Sequence, residues 1–218
     1  SRDGQIAESD LAAMGRSMAH RGPDAEGTWL SPNGEAGFAH RRLTIIDLAD
    51  TAGQPMTNEN GAVVVTYNGE IYNHALLRTE LAAAGHRFST DHSDTEVLVH
   101  GYEQWGLAGL LERLEGMFAF AVWDNGTGRL YLARDRIGIK PLYFTRQDGA
   151  FLFGSEIKAL LAYPGIPRRV APAALYHYLT YLTTPAPMTM FDGIYKLPAG
   201  TWMEVNGSGS MRATSYWR

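Results

Sequence analysis

Val63-Val64-Val65-Thr66-Tyr67-Asn68-Gly69-Glu70-Ile71-Tyr72-Asn73 is the stretch whose reading decides the fold. Three valines followed by Thr66 and Tyr67 predict a strand buried on both faces, and Asn68-Gly69 predicts an abrupt turn at its end. At such a turn the Asn68 amide and the Gly69 N–H can aim at one point, the donor arrangement an oxyanion needs, and Gly69 has no Cβ to block close approach. A plain strand-to-helix corner is the other reading of the same two residues. Asn73 then predicts the cap of a helix carrying Leu76, Leu77 and Leu81 on one face and stopping at Gly85.

On the N-terminal side, Leu11, Met14 and Met18 at helical spacing follow Ser9, which is read as an N-cap. His20-Arg21-Gly22-Pro23-Asp24 breaks that helix. Strands over Gly27 to Leu30 and Ala36 to His40 flank Pro32-Asn33-Gly34, a hairpin signal. Arg41-Arg42-Leu43-Thr44-Ile45-Ile46-Asp47 follows; its bases stand at a strand end, where solvation is the ordinary role, and Arg41 is read as solvent-facing.

On the C-terminal side, Ser93-Asp94-Thr95-Glu96 fits a capping box, which puts Asp94 at a helix N-terminus where an acid is favoured by the dipole alone. That helix continues through Leu107 to Leu114. From Met117 the pattern becomes strands with tight turns: Met117 to Trp123, Arg129 to Ala133, Leu142 to Thr145 and Ala150 to Phe153, turning at Asn125-Gly126 and Asp148-Gly149. The charged connection Arg134 to Pro141 either binds a ligand or locks itself through Asp135. Helices are expected over Glu156 to Ala162 and Pro172 to Tyr181. Short strands then run from Pro185, broken at Pro198-Ala199-Gly200 and at Gly207-Ser208-Gly209-Ser210. Grouped strands with helices before and after them predict an α+β layered architecture in a single domain, 1–218.

Composition narrows the function classes. The 218 residues are 45% apolar, enough for a sizeable core, and the formal charge of −4 is interleaved along the chain. No basic footprint for nucleic acid or an anionic membrane results, no apolar run approaches a membrane span, and the cytoplasm is the default location. There are no cysteines, and the seven histidines lack the i, i+4 spacing of a zinc helix, so no protein-bound metal is expected. Phosphate-loop, dinucleotide and nucleophile-elbow patterns are absent. The residues by themselves support a small polar ligand near Arg42, Asn68, Gly69 and Asp94, with no evident nucleophile.

The order of motifs adds to this. His20-Arg21-Gly22-Pro23-Asp24, His40-Arg41-Arg42-Leu43-Thr44-Ile45-Ile46-Asp47, Tyr67-Asn68-Gly69-Glu70-Ile71-Tyr72-Asn73, Ser93-Asp94-Thr95-Glu96, Gly116-Met117-Phe118-Ala119-Phe120-Ala121, Ala133-Arg134-Asp135 and Gly138-Ile139-Lys140-Pro141-Leu142-Tyr143 closely resemble the type-2 glutamine amidotransferase domain of the glutamine-hydrolysing asparagine synthetases. The resemblance runs from His20 to the end. It implies the N-terminal-nucleophile hydrolase fold, a four-layer αββα sandwich of two antiparallel sheets between helical layers. It also implies that Arg42 holds the substrate α-carboxylate and Asp94 the α-ammonium, that Asn68 and Gly69 form the oxyanion hole, and that Glu70 with Leu43, Thr44, Ile45 and Ile46 lines the glutamine pocket. No cofactor belongs to this domain. In that family a synthetase domain, on the same polypeptide or a partner, takes ATP and Mg²⁺, adenylates aspartate and uses the ammonia; the resemblance leaves the nitrogen acceptor and homodimerisation open.

One departure stands out. The family's nucleophile is an N-terminal cysteine opening a Cys-Gly-Ile-type apolar strand. Ser1-Arg2-Asp3-Gly4-Gln5 does not match it, so the sequence is read as beginning roughly ten residues late, without that strand. The competing reading is a pseudo-amidotransferase that binds glutamine or regulates a synthetase without catalysis.

Overall fold

The computed structural model describes residues 5–43 and 53–217; the expected pocket residues Thr44, Ile45 and Ile46, and Ser1, lie outside them. Element order is α1 (Glu8–Ser17), β1 (Ala25–Leu30), β2 (Gly37–Arg42), β3 (Met56–Thr57), β4 (Val63–Ile71), α2 (His74–Ala83), α3 (Asp94–Arg113), β5 (Gly116–Asp124), β6 (Arg129–Arg134), β7 (Tyr143–Gln147), β8 (Ala150–Gly154), α4 (Ile157–Leu161), α5 (Pro172–Tyr181), β9 (Ile194–Lys196), β10 (Thr201–Val205) and β11 (Met211–Ser215).

The main sheet has six strands in the order β11-β10-β6-β5-β4-β3, each antiparallel to its neighbours. Alternation along β4 sorts its two faces. Val63, Val65, Tyr67 and Ile71 pack with Leu77 and Leu81 of α2 and with Val97, Leu98, Leu110 and Leu111 of α3. Val64 joins Ala119, Ala121, Trp123, Leu132, Met203 and Val205 on the opposite face, against Ala36, Phe38 and Leu142.

That opposite face meets a second strand layer in two pieces, the hairpin β1-β2 and the sheet β8-β7-β9. Phe38 of β2 and Phe153 of β8 approach edge to face at 5.7 Å, so the pieces lie side by side. Outside them, α1 packs on β2 and α4, while Leu160 of α4 enters a small core with Ile166 and Ile194. Helix, sheet, sheet, helix is therefore the layer order, the αββα sandwich expected.

Four local expectations are corrected. Asn68-Gly69 is no turn: β4 runs straight through it, and Gly69, Glu70 and Ile71 pair with Phe118, Met117 and Gly116. A Cβ on Gly69 would sit 2.2 Å from Met117 O, and one on Gly116 would sit 2.2 Å from Glu70 O, so these glycines serve a close strand approach. The capping reading of Ser9 fails because α1 begins at Glu8 after Ala7. Ser93 does precede α3, but no capping box forms: Glu96 turns back to accept from Ser89 N and Thr90 N at 2.6 and 2.9 Å and from both hydroxyls. Asn73 stands at the N-cap of α2 without capping it, since its side chain bridges Arg113 O and Glu115 N.

The Arg134–Pro141 connection is locked, although by backbone groups rather than by an Arg–Asp pair. Arg134 donates to the carbonyls of Gly138, Lys140 and Leu197, each at 2.7 Å. Buried Asp135 accepts from the N–H groups of Phe118, Ile137, Ile139 and Lys140. Both charges are satisfied in place, which suits a structural loop.

Candidate functional site

A cleft of about 950 Å³ lies between the strand layers. Its floor is the face of β4 and β5 that carries Thr66, Asn68, Glu70, Ala119 and Ala121, and its sides are residues of β2 and β8. Among the described residues β2 hydrogen-bonds as a strand only with β1, and β8 only with β7, so each turns an unpaired edge to the cleft. Arg42, Leu43, Asn68, Glu70, Gly69 and Asp94 all line this one cleft. They come from the end of β2, the distal half of β4 and the first turn of α3.

The edge of β4 away from β5 explains how the donors gather. Beyond Val65, where β3 ends its pairing, this edge has no strand neighbour among the described residues. Alternate N–H groups of a strand point the same way. Tyr67 N donates outward to Gln54 Oε1 at 2.7 Å and Ile71 N to Asp94 Oδ2 at 3.1 Å. Gly69 N, midway between them, shares that direction. Its cross-strand partner Phe118 turns the other way, its carbonyl accepting from Asp135 N and its N–H donating to Asp135 Oδ2. The Gly69 N–H is thus a donor at the cleft between two occupied ones, and no described residue bonds it.

Asp94 is buried. Its Oδ2 accepts from Ile71 N and, at 2.7 Å, from the Tyr67 hydroxyl, which fixes the carboxylate against the strand edge. Burial, reinforced by the Asp94 charge, pushes the Tyr67 phenol far above its ordinary range, so it remains a protonated donor.

Arg42 and Arg41 occupy opposite faces of β2. Phe38 faces the inner core, and by alternation His40 and Arg42 face the cleft with it. His40 Nδ1 lies 3.2 Å from Thr66 Oγ1, and burial together with the nearby Arg42 charge lowers its pKa to about 4, leaving it neutral at pH 7. Arg41, expected to face solvent, instead pairs with Glu26 across the hairpin at 2.7 Å and donates Nε to Gly15 O at 3.2 Å. Its side chain is only 16% exposed, because α1 covers that face of β2. His40, Gln54, Thr66 and Tyr67 are site residues that sequence reasoning missed. His40 had a usable signal, two residues before Arg42 and hence on the same strand face.

Elsewhere on the surface, His20, Arg21 and Lys158 surround Glu156, with His20 Nε2 at 3.0 Å and Lys158 Nζ at 3.1 Å. Burial acts to raise the Glu156 pKa, but hydrogen bonds from Arg21, His20 and Lys158 outweigh it and hold the acid down at about 2. The motif at His20-Arg21 therefore fastens the chain after α1 to the start of α4.

A backbone N–H donor on a strand edge, a buried fixed carboxylate and a guanidinium all line one cleft between two sheets of an αββα sandwich, donors and charges suited to a small ligand carrying both a carboxylate and an ammonium group. Residues 2–217 match the glutamine amidotransferase domain, and the chain belongs to that family. It is 39% identical to asparagine synthetase [glutamine-hydrolyzing] 2 of Bacillus subtilis (strain 168) over 95% of this chain and 28% of that protein. It is also 35% identical to amidase chry2 of Gibberella zeae over 92% of this chain and 29% of that protein. Among solved structures, the glutamine phosphoribosylpyrophosphate amidotransferase of B. subtilis superposes with a TM-score of 0.74 over 97% of this chain and 47% of that one, at 19% identity, a likeness of fold. The chain spans about a third or less of the curated relatives it matches.

Proposed function

We propose that the cleft binds glutamine and that its side-chain amide is hydrolysed there, the ammonia passing to an ATP-dependent synthetase domain that makes asparagine from aspartate. ATP and Mg²⁺ belong to that second domain. The observation that carries the reading is the gathering of Arg42, Asn68, Gly69 and Asp94 from three distant segments onto one cleft. Arg42 takes the α-carboxylate through its fork of donors, and Asp94 takes the α-ammonium. Asn68 Nδ2 and Gly69 N then meet the oxygen that becomes negative when a nucleophile adds to the amide carbon. Collapse of that adduct expels ammonia and leaves an acyl intermediate, which water converts to glutamate.

The nucleophile is the part the 218 residues do not hold, since they contain no cysteine. In our reading an apolar strand opening on cysteine supplies it, seated beside the edges of β2 and β8 that pair with no other strand among the described residues. The 218-residue chain then binds glutamine without turning it over. The absence of cysteine is equally the observation behind a second reading, a pseudo-amidotransferase that senses glutamine for its partner. Glutamate release is to be measured for the chain as it is and for a form extended at its N-terminus by a Cys-Gly-Ile-type strand. Turnover only in the extended form supports hydrolysis. Binding without turnover in both supports the sensor, and turnover by the unextended chain refutes the missing-nucleophile reading.

A further inference from the structure

The cleft is not the only place where side chains of metal-binding chemistry converge. On the helical face, away from the cleft lining, His86 follows α2 while His100 and Glu103 stand one turn apart on α3. One donor atom from each lies within 4.8 Å of the other two. Glu103 Oε2 is the centre of the group, 3.1 Å from His100 Nδ1 and 3.9 Å from His86 Nδ1.

The contacts around these three atoms fix their protonation and orientation. His86 Nε2 is 3.1 Å from Gln104 Oε1, a pure acceptor, so Nε2 carries the ring proton and Nδ1 presents its lone pair. His100 is buried between two carboxylates, and the nearer one decides its tautomer: Nδ1 donates to Glu103 Oε2 at 3.1 Å while Nε2 lies 3.8 Å from Glu96 Oε1, so in the metal-free chain Nδ1 carries a proton. Glu103 has its other oxygen, Oε1, held by Asn58 Nδ2 at 2.7 Å. A free imidazole lone pair on His86 and a His100–Glu103 hydrogen bond thus converge on one point, with Gln104 behind His86 and Asn58 behind Glu103. A metal takes the place of the His100 Nδ1 proton between these groups and engages the His86 Nδ1 lone pair as well, so its binding releases a proton.

We propose that His86 Nδ1, His100 Nδ1 and Glu103 Oε2 bind a divalent transition metal, Zn²⁺ by its preference for two imidazoles and a carboxylate, with water completing four-coordination. Tetrahedral ligands at zinc distances lie about 3.4 Å apart, so the three donor atoms, which lie within 4.8 Å of one another, draw together on binding. Gln104, Glu96 and Asn58 are the outer partners that orient ligating side chains. The metal ties the end of α2 to α3 and, through Asn58, to the turn between β3 and β4, which makes its role structural. The proposal departs from the expectation of no metal, which rested on the absence of i, i+4 histidines; here the ligands come from a loop and from i, i+3 positions on a helix.

The test is titration of Co²⁺, then Zn²⁺, into the untagged, metal-stripped full chain at pH 7.5. Stoichiometric uptake of Co²⁺ with the intense visible bands of a four-coordinate site, displaced by one equivalent of Zn²⁺, is expected. His86→Ala and Glu103→Gln, both of which alter side chains reaching the surface, should weaken binding by more than about 100-fold, and Gln104→Ala by about 10-fold to 100-fold. Circular dichroism of each variant checks that it is folded. No four-coordinate Co²⁺ signal, or one unchanged in His86→Ala and Glu103→Gln, overturns the site. Neither result touches the glutamine reading, since none of the three residues lines the cleft.

Discussion

The Tyr67 hydroxyl donates to Asp94 Oδ2 at 2.7 Å, joining the central strand to the first residue of α3. With the Ile71 N–H on the same oxygen, it sets where the carboxylate stands before any ligand arrives. Tyr67→Phe removes a buried bond to a charged acceptor and should lower stability by about 1.5–3 kcal/mol in urea denaturation. In the glutamine reading it also weakens glutamine binding, while Asp94→Asn, which keeps shape and removes charge, weakens it more. Undiminished glutamine affinity in Asp94→Asn would take the ammonium role away from Asp94.

Arg42 carries the carboxylate half of the same assignment. Arg42→Ala should cost on the order of 2–5 kcal/mol in glutamine binding, the scale of a desolvated charge pair losing one member. Arg41 is no silent control, because its ties to Glu26 and Gly15 make Arg41→Ala destabilising. Arg169, 74% exposed beside Asp192, is the suitable comparison. Equal losses in Arg42→Ala and Arg169→Ala, measured by calorimetry, would contradict the assignment.

The contrast between Arg41 and Arg42 shows what the sequence could and could not tell. The layered fold was legible because strand and helix periods are local, and Pro172–Tyr181 appears with the very bounds the pattern predicts. Which arginine faces the cleft depends on α1 covering the other side of β2, a tertiary fact. The Asn68-Gly69 pair misled for the same kind of reason: a turn dipeptide in isolation, it is held extended by nine cross-strand pairs with β5. Gln54 and Tyr67 were out of reach because their partners, Thr95 and Asp94, are distant in sequence. The residues suggested a shared polar ligand and the resemblance gave each a role; their meeting in one cleft is the structure's contribution.

Gly69→Ala tests the close approach directly. Its new methyl would meet backbone at Met117 O and Phe118 Cα, atoms that cannot swing aside as a side chain would. A loss of at least about 1–3 kcal/mol is expected from overpacking alone. Gly61→Ala offers a counterpart, with open space around the position and strain only from its φ of +70°. A Gly69→Ala protein as stable as the parent would mean that β4 and β5 are farther apart than described.

His40 gives the fold a pH dependence whose sign follows from its lowered pKa. Between its ordinary value of 6.5 and about 4 the unfolded chain binds more protons than the folded one. Stability contributed by neutral His40 is therefore complete above 6.5 and falls as pH drops through that window, by at most about 1.4 kcal/mol per pH unit. Glu156 acts lower, its contribution present above 4.5 and lost as pH falls through about 2. Urea midpoints against pH should show the first slope flattened in His40→Asn. Because the Arg42 charge is one cause of the His40 shift, a carboxylate bound at Arg42 should raise the His40 pKa in an NMR titration with glutamine; no change would place the carboxylate elsewhere.

Asn68 separates stabilisation of developing charge from simple binding. It stands on the cleft face of β4, one residue before the N–H that no described residue bonds, so its amide and that N–H can meet a common oxygen. A donor that engages mainly the charge formed in the transition state lowers kcat when removed and leaves KM nearly unchanged. Asn68→Ala in the cysteine-extended form should therefore lose about 10²–10³ in glutaminase kcat, the scale of one oxyanion donor, while calorimetry still detects glutamine. Asn68→Asp is the sharper variant. It keeps size and replaces a donor by a negative charge facing a forming negative charge, so its kcat should fall further than that of Asn68→Ala. A variant that changes KM alone would make Asn68 a residue that positions glutamine and leave Gly69 as the only oxyanion donor of the pair.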